Sequence, residues 1–417
     1  MNEASPRVRW TAWYGLAVLT AISVFAQMDR ISLAILLQPI KLELHLNDQQ
    51  LGLLTGLAFA LFYATLGLPL ARYADRSTRT RLLSVCLGLW TLMTTLSGFT
   101  RSFPQLFLAR VGVGVGEAGC TPASFSLIGD LFPRNRRTLA ISIFQCGGAV
   151  GISVGTFLVG MLGHYLGWRV CLQLIGLAGL PIALLVRFTV PEPARPAPTA
   201  DSGESAARAL GALGRRPAFV HLALAYGLSA ICITGIGQWS AAFLMRSFNL
   251  SMAQVGIWAG LAIAAGSILG LLSAGFLANW LARRDTRWEL WIPAISTMVS
   301  IPLTLMMALS PTAWMALACN IALAITSSVT AVAAMAAVQS FAEPHRRATA
   351  VALVIFLYSV LGLGLGPYII GLASDLLTPT FGRESLRYGL VAVSLFLPWA
   401  AAHYVLAARR SLKDVVG

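Results

Sequence analysis

Long apolar runs separated by short polar stretches set the pattern of this chain. A helix needs about 20 apolar residues to cross a bilayer. Twelve runs reach that length, at roughly 12–37, 51–72, 81–99, 104–131, 138–163, 167–189, 217–245, 252–282, 287–309, 312–340, 346–376 and 386–408. Nothing between Glu289 and Glu343 is charged. That stretch is too long for one span, and the turn signal Ser310-Pro311 divides it. The segment from Pro191 to Arg216 is different, rich in Pro, Ala, Ser and charge. The pattern therefore predicts an all-α polytopic membrane protein. Its parts are an N-terminal six-helix bundle over 1–190, a cytoplasmic linker over 191–216 and a C-terminal six-helix bundle over 217–417.

Composition agrees. The chain is 57% hydrophobic and 11% charged, with mean hydropathy +0.75, whereas a soluble domain carries about 25% charged residues. The net charge of +14 does not indicate nucleic acid, because the basic residues form short clusters between apolar runs. Lys41, Arg101, Arg169, Arg246, Arg383 and Arg387 fall in one set of loops, and Arg30 and Arg110 lie inside spans. The rest of the 30 basic residues lie on the other side, with both termini and the linker. By the positive-inside rule that side is the cytoplasm. Arg7 and Arg9 precede an apolar run as in a signal peptide. The run continues to Leu37 without a small-residue cleavage site, so it reads as a retained first helix. The six cysteines lie in apolar runs without metal-ligand or disulfide spacing and read as small buried hydrophobes. No nucleophile or metal constellation marks an enzyme: catalytic residues, metal and cofactor are all expected to be absent.

A weak internal repeat relates the halves. Ala71-Arg-Tyr-Ala-Asp75-Arg76 after span two matches Gly275-Phe-Leu-Ala-Asn279 after span eight, and Pro133-Arg-Asn-Arg-Arg137 matches Pro344-His-Arg-Arg347. Related halves with a site at mid-membrane depth are a transporter architecture.

Charges inside spans are expensive and mark function. Met28-Asp29-Arg30 interrupts span one, and Arg110-Val-Gly-Val-Gly-Val-Gly-Glu117 interrupts span four. Arg110 and Glu117 are about two turns apart on one helix face. Asp29 lies about eight residues in from its span end and Arg110 about six, roughly 3 Å apart in depth. Glu117 lies about thirteen residues in, roughly 9 Å below Arg30. The expectation is a pair, Asp29–Arg110, and a carboxylate near the midplane whose partner, Arg30, is distant. Two readings remain open. The charges stitch two helices together. Alternatively, Asp29 or Glu117 takes up and releases a proton while Arg30 or Arg110 binds an anionic head group.

The loop after span two places Asp75 among Arg76 and Arg79. It reads as a basic loop, or as a cytoplasmic latch in which Asp75 meets a helix N-terminus of the other half and pairs with Arg134 or Arg137. Spans of the C-terminal half offer uncharged polar residues, of which Gln238, Trp239 and Tyr358 are placed on the cavity. A charged wall facing an aromatic one fits an amphipathic substrate.

These residues resemble a known family. The chain is similar to the major facilitator superfamily, whose signature loop matches Ala71-Arg-Tyr-Ala-Asp75-Arg76-Ser-Thr-Arg79. Ala71 and Thr78 stand where glycines are usual, and Thr80 where a basic residue is usual. Met28-Asp29-Arg30, Arg110 with Gly112-Val-Gly-Val-Gly-Glu117-Ala118, and Gly362-Leu-Gly-Leu-Gly-Pro367 with Ser374-Asp375 resemble the spinster branch in a bacterial form. The resemblance implies twelve helices, alternating access, proton-linked transport, and Asp29 and Arg110 as coupling and binding residues, with Glu117 beside them. It implies amphipathic substrates of the lysophospholipid or sphingolipid-phosphate class. A monomer in the bilayer with a proton as coupling ion is expected. Export of small organic anions or drugs stays open, as do a membrane-embedded lipid-modifying enzyme and a non-transporting receptor.

Overall fold

The computed structural model describes residues 10–74, 76–193, 206–282, 288–343 and 346–414. Among these, eight stretches are long and apolar enough to cross a membrane. Two of them, Asn135–Thr189 and Thr349–Arg410, are 55 and 62 residues long and hold two crossings each. The two remaining crossings are α4 (Arg79–Ser97) and the pair α5 (Phe103–Glu117) and α6 (Cys120–Leu131). The described helices thus account for twelve crossings. Large apolar side chains on them stay exposed, Phe188 at 74% and Leu272 at 67%, as expected where lipid is the solvent.

The chain groups into two compact units. The first comprises Met1–Leu46, Ala58–Ala197 and Ser251–Gly260. Here α1 (Trp10–Leu44) packs along the first part of α7 (Arg134–Thr189), and α4 packs along α7 and α5. A Cβ on Gly151 of α7 would stand 2.2 Å from the Val24 carbonyl oxygen, so only glycine lets these two backbones touch. α7 is two helical crossings that meet at a non-helical residue. The turn between them is made at Gly167, with φ +78°, a conformation a side chain disfavours. α3 (Leu57–Ala74) carries the aromatic residues described below.

The second unit comprises Asn47–Leu57, Pro198–Leu250 and Leu261–Gly417. It holds α2 (Asp48–Thr55), α8 (Ala206–Gly214), α9 (Pro217–Phe248), most of α10 (Met252–Ala282), α11 (Trp288–Ala308) and α12 (Ala313–Phe341). Further on come α13 (Arg347–Leu357), a π-helical stretch Tyr358–Leu365, α14 (Gly366–Phe381), α15 (Ser385–Ser394) and α16 (Phe396–Asp414). α9 is central, packed on α16, α14, α12 and the π-helical stretch. One core cluster gathers Phe219, Leu222, Leu290, Val338, Val354 and Tyr404. The segment read as linker is not wholly irregular. Its end forms α8, which buries Ala209 and Leu213. The π-helical stretch coincides with the glycine-rich run of span eleven; such turns often mark functional places.

Candidate functional site: a buried charge cluster

In the first unit, α1 and α5 bring four charges together, with Thr94 of α4 beside them. Asp29 is 0% exposed, Glu117 1% and Arg110 3%. Arg110 Nη1 stands 3.5 Å from Asp29 Oδ2, and the Thr94 hydroxyl donates to Asp29 Oδ1 at 2.7 Å. Arg30 Nη2 meets Glu117 Oε1 at 2.6 Å.

The last contact corrects the depth estimate, which gave Glu117 only a distant partner. Side chains on a helix lean towards its N-terminus. Spans one and four run in opposite directions, so Arg30 and Glu117 lean towards each other. Asp29 and Arg110 lean apart, and theirs is the looser contact. An arginine side chain is long enough to close the remaining gap.

Two aromatic residues complete the cluster. Phe59 and Tyr63 lie one turn apart on α3 with stacked rings, their centroids 5.2 Å apart. The Arg30 guanidinium lies 4.9 Å from the Phe59 centroid and 4.8 Å from that of Tyr63. A Cβ on Gly114 would be 2.7 Å from the Phe59 carbonyl oxygen, so the bare glycine lets α5 close on α3 there. The helix of span four is interrupted at Ala118-Gly119, directly after Glu117.

Satisfaction is incomplete. Arg30 Nε, Arg110 Nε, Asp29 Oδ2 and Glu117 Oε2 are buried without a hydrogen-bond partner. An unmade bond on a buried polar atom costs about 1–3 kcal/mol.

Three of the five predicted latch residues are described with their side chains. Asp75 and the side chain of Arg134 lie outside the described residues, while Arg76 and Arg137 are exposed. Arg79 is 1% exposed and ties elements of its own unit. It pairs with Asp130 on α6. Its Nε donates to Glu192 Oε1 at 2.8 Å and its Nη1 to Ser126 Oγ at 3.1 Å. Glu192 Oε2 accepts from the Thr80 backbone N–H at 2.9 Å and hydroxyl at 3.0 Å. Partial burial would raise the Glu192 carboxyl. The Thr80 N–H, Arg79 and the Thr80 hydroxyl outweigh it and hold the carboxyl below its ordinary range.

In the second unit Trp239 is 0% exposed and its indole N–H donates to the Pro367 carbonyl at 2.9 Å. It is a packing residue between α9 and α14, which corrects its placement on a cavity wall. A large apolar ring next to a polar residue reads equally as core or as lining in sequence. Gln238 is half-buried, and its Oε1 has no hydrogen-bond partner. Tyr358 does line a cavity, with Tyr226, Ser229 and Ser327 among its neighbours.

A second ion pair was missed. Arg246 grips Asp48 with both guanidinium ends, at 2.7 and 2.8 Å, and Ser374 donates to Asp48 Oδ2 at 2.6 Å. Asp375 accepts from the backbone N–H groups of Asp48 and Gln49 at 3.0 and 2.7 Å. It thereby caps the N-terminus of α2. Asp48 and Arg246 each lie at the edge of an apolar run, where charges are ordinary; only the fold buries them.

Twelve membrane crossings with an ion-pair cluster inside them define a polytopic membrane transporter. Residues 19–367 match the family model of the Major Facilitator Superfamily. This chain belongs to that superfamily. It is 34% identical, over 97% of its length and 94% of the relative's, to an MFS-type efflux pump of Mycolicibacterium smegmatis. It is 27% identical to a sphingosine-1-phosphate transporter of Xenopus tropicalis, over 88% of this chain and 75% of that one. Among solved structures it is similar to a bacterial homologue of the human lysosomal transporter spinster, in an inward-facing and unoccupied conformation. The TM-score is 0.89 and the identity 30%, over 99% of each chain.

Proposed function

We propose that this transporter is proton-coupled, works by alternating access and moves an amphipathic, anionic, lipid-like substrate. The observation that carries this reading is the buried cluster in which Arg30–Glu117 and Arg110–Asp29 leave polar atoms unpartnered. An anionic head group competes with Glu117 for Arg30, or with Asp29 for Arg110. A carboxylate that loses its cation in a low-dielectric site takes up a proton. Return of the arginine expels it. An anion on one of the arginines thus goes together with a proton on the carboxylate it displaced, which is a coupling device. The similarity to the Xenopus tropicalis sphingosine-1-phosphate transporter supports a phosphate-bearing amphiphile.

Transport is assigned to a monomer in a bacterial inner membrane, with both termini cytoplasmic and neither cofactor nor catalytic residue involved. A second reading is favoured by the Mycolicibacterium smegmatis efflux pump, which matches nearly the whole chain. In that reading the same machinery exports small organic anions or drugs. Purified protein in liposomes separates the readings. A pH gradient driving flux of a lysolipid phosphate supports the first. Flux of small organic anions alone supports the second. No flux of either, with lipid turnover instead, overturns both.

A further inference from the structure

The charge cluster accounts for an anion, but the second unit contains a cavity of different chemistry. It measures about 200 Å³ and lies between α9, α12 and the π-helical stretch. Tyr226, Ser229, Ser327, Ser328, Thr330 and Tyr358 supply its polar wall, the remainder is alanine and isoleucine, and no lining residue is charged. Its size suits a head group and not an acyl chain, since whole drug-sized ligands fill about 300–1,000 Å³.

The hydroxyls are not neutral in what they offer. Ser229 donates its proton to the Tyr226 carbonyl at 2.9 Å. Ser327 and Ser328 both donate to the Ala324 carbonyl, at 3.0 and 2.9 Å. A serine hydroxyl has one proton and two lone pairs. With the protons committed to the backbone, these three residues present lone pairs. A phosphate or carboxylate would face these lone pairs with no charged side chain among the lining residues to offset them. A ligand group made of N–H donors would find them all.

The aromatic residues add a second preference. The Tyr226 and Tyr358 rings lie with centroids 5.6 Å apart and planes inclined by 34°. The negative face of a phenol ring attracts a cation. Lone pairs plus ring faces match a primary ammonium, a compact cation with three donors. An alcohol lacks the charge, and a quaternary ammonium lacks the donors.

We propose that this cavity binds a primary ammonium group of the transported amphiphile. The inference rests on the transport reading for its physiological meaning, but its binding chemistry is testable alone. Heat of binding is measured for octylamine, octanol, octanoate and octyltrimethylammonium on the full-length protein in nanodiscs at pH 7, with empty nanodiscs subtracted. At that pH the amine is protonated, since alkylammonium groups titrate at about 10. Octylamine is expected to bind at least about tenfold more tightly than octanol, with octanoate weakest. Tyr358→Leu, and the double change Ser327→Ala with Ser328→Ala, should remove that preference while leaving octanol unchanged. Equal binding of amine and alcohol overturns the proposal, and so does tightest binding of the carboxylate or the quaternary ion. Persistence of the preference in variants that melt like the wild type also overturns it. The order of the four probes on the wild type needs no variant to fold. Proton-driven flux of an anionic amphiphile in liposomes judges the transport reading separately.

Discussion

Arg30 Nη2 meets Glu117 Oε1 at 2.6 Å, while Arg110 stays 3.5 Å from Asp29 Oδ2. The tighter pair is the one whose side chains converge, because helical side chains lean towards their N-termini. The looser pair has a neutral third party, the Thr94 hydroxyl. The two carboxylates are thereby made unequal. Glu117 depends on one cation, and Asp29 shares its stabilisation with a donor that never moves charge.

That inequality predicts distinct phenotypes. Glu117→Gln should abolish flux driven by a pH gradient while substrate exchange without a gradient continues, since Arg30 is then permanently available. Asp29→Asn should weaken both, because Arg110 loses its anionic partner and the amide keeps a single oxygen for Thr94 and Arg110. Liposomes carrying each variant, assayed with and without a pH gradient, check this. If Glu117→Gln and Asp29→Asn both leave gradient-driven flux intact, the coupling assignment is wrong.

The Arg30 guanidinium lies against Phe59 and Tyr63. A cation–π contact of this kind contributes about 0.5–2 kcal/mol, so Tyr63→Leu should change the apparent affinity for an anionic substrate by tenfold or somewhat more. Tyr63→Phe keeps the face and should change it little. Initial flux rates over a substrate series measure both; equal losses in the two variants would assign the effect to the hydroxyl instead.

Much of this was legible beforehand, and the failures have physical causes. Apolar run length marks the crossings because lipid tolerates no unpaired backbone. Asp29, Arg30, Arg110 and Glu117 stand out because charge within such runs is rare. Thr94, Phe59 and Tyr63 do not stand out, since a threonine or an aromatic pair in a span has many ordinary uses. They acquire meaning only through the neighbour the fold gives them. Trp239 shows the converse: beside Gln238 it resembled a wall residue, yet its N–H is committed to the Pro367 carbonyl.

Trp239 therefore serves stability and not affinity. Trp239→Phe leaves a buried carbonyl without its donor and should cost about 1–3 kcal/mol. The melting temperature should fall with substrate affinity unchanged. Thermal unfolding alongside a binding titration tests this; loss of binding at an unaltered melting temperature would return Trp239 to the cavity wall.

The Asp48–Arg246 pair is almost wholly buried and also accepts from Ser374. Removing one partner of such a pair strands a charge, at a cost of about 3–5 kcal/mol. Asp48→Ala and Arg246→Ala should each destabilise strongly. The double variant should be more stable than either, because no charge is left alone. A double-mutant cycle on melting temperature measures the coupling. Simple additivity would show that the two side chains do not depend on each other.

Glu192 gives the pH dependence. Partial burial works against its charged form, but the Thr80 backbone N–H, the Arg79 guanidinium and the Thr80 hydroxyl prevail, and its carboxyl titrates below the ordinary 4.5. A carboxyl depressed in the folded state stabilises that state fully above its unfolded pKa. The contribution fades as pH falls through the folded pKa. Glu192→Gln should thus melt below the wild type at pH 7, with the gap constant down to about pH 5 and closing at still lower pH. Melting curves of both proteins from pH 7 to pH 3 read the gap directly. A gap independent of pH would mean that Glu192 holds Arg79 and Thr80 by shape and hydrogen bonding alone, without its charge.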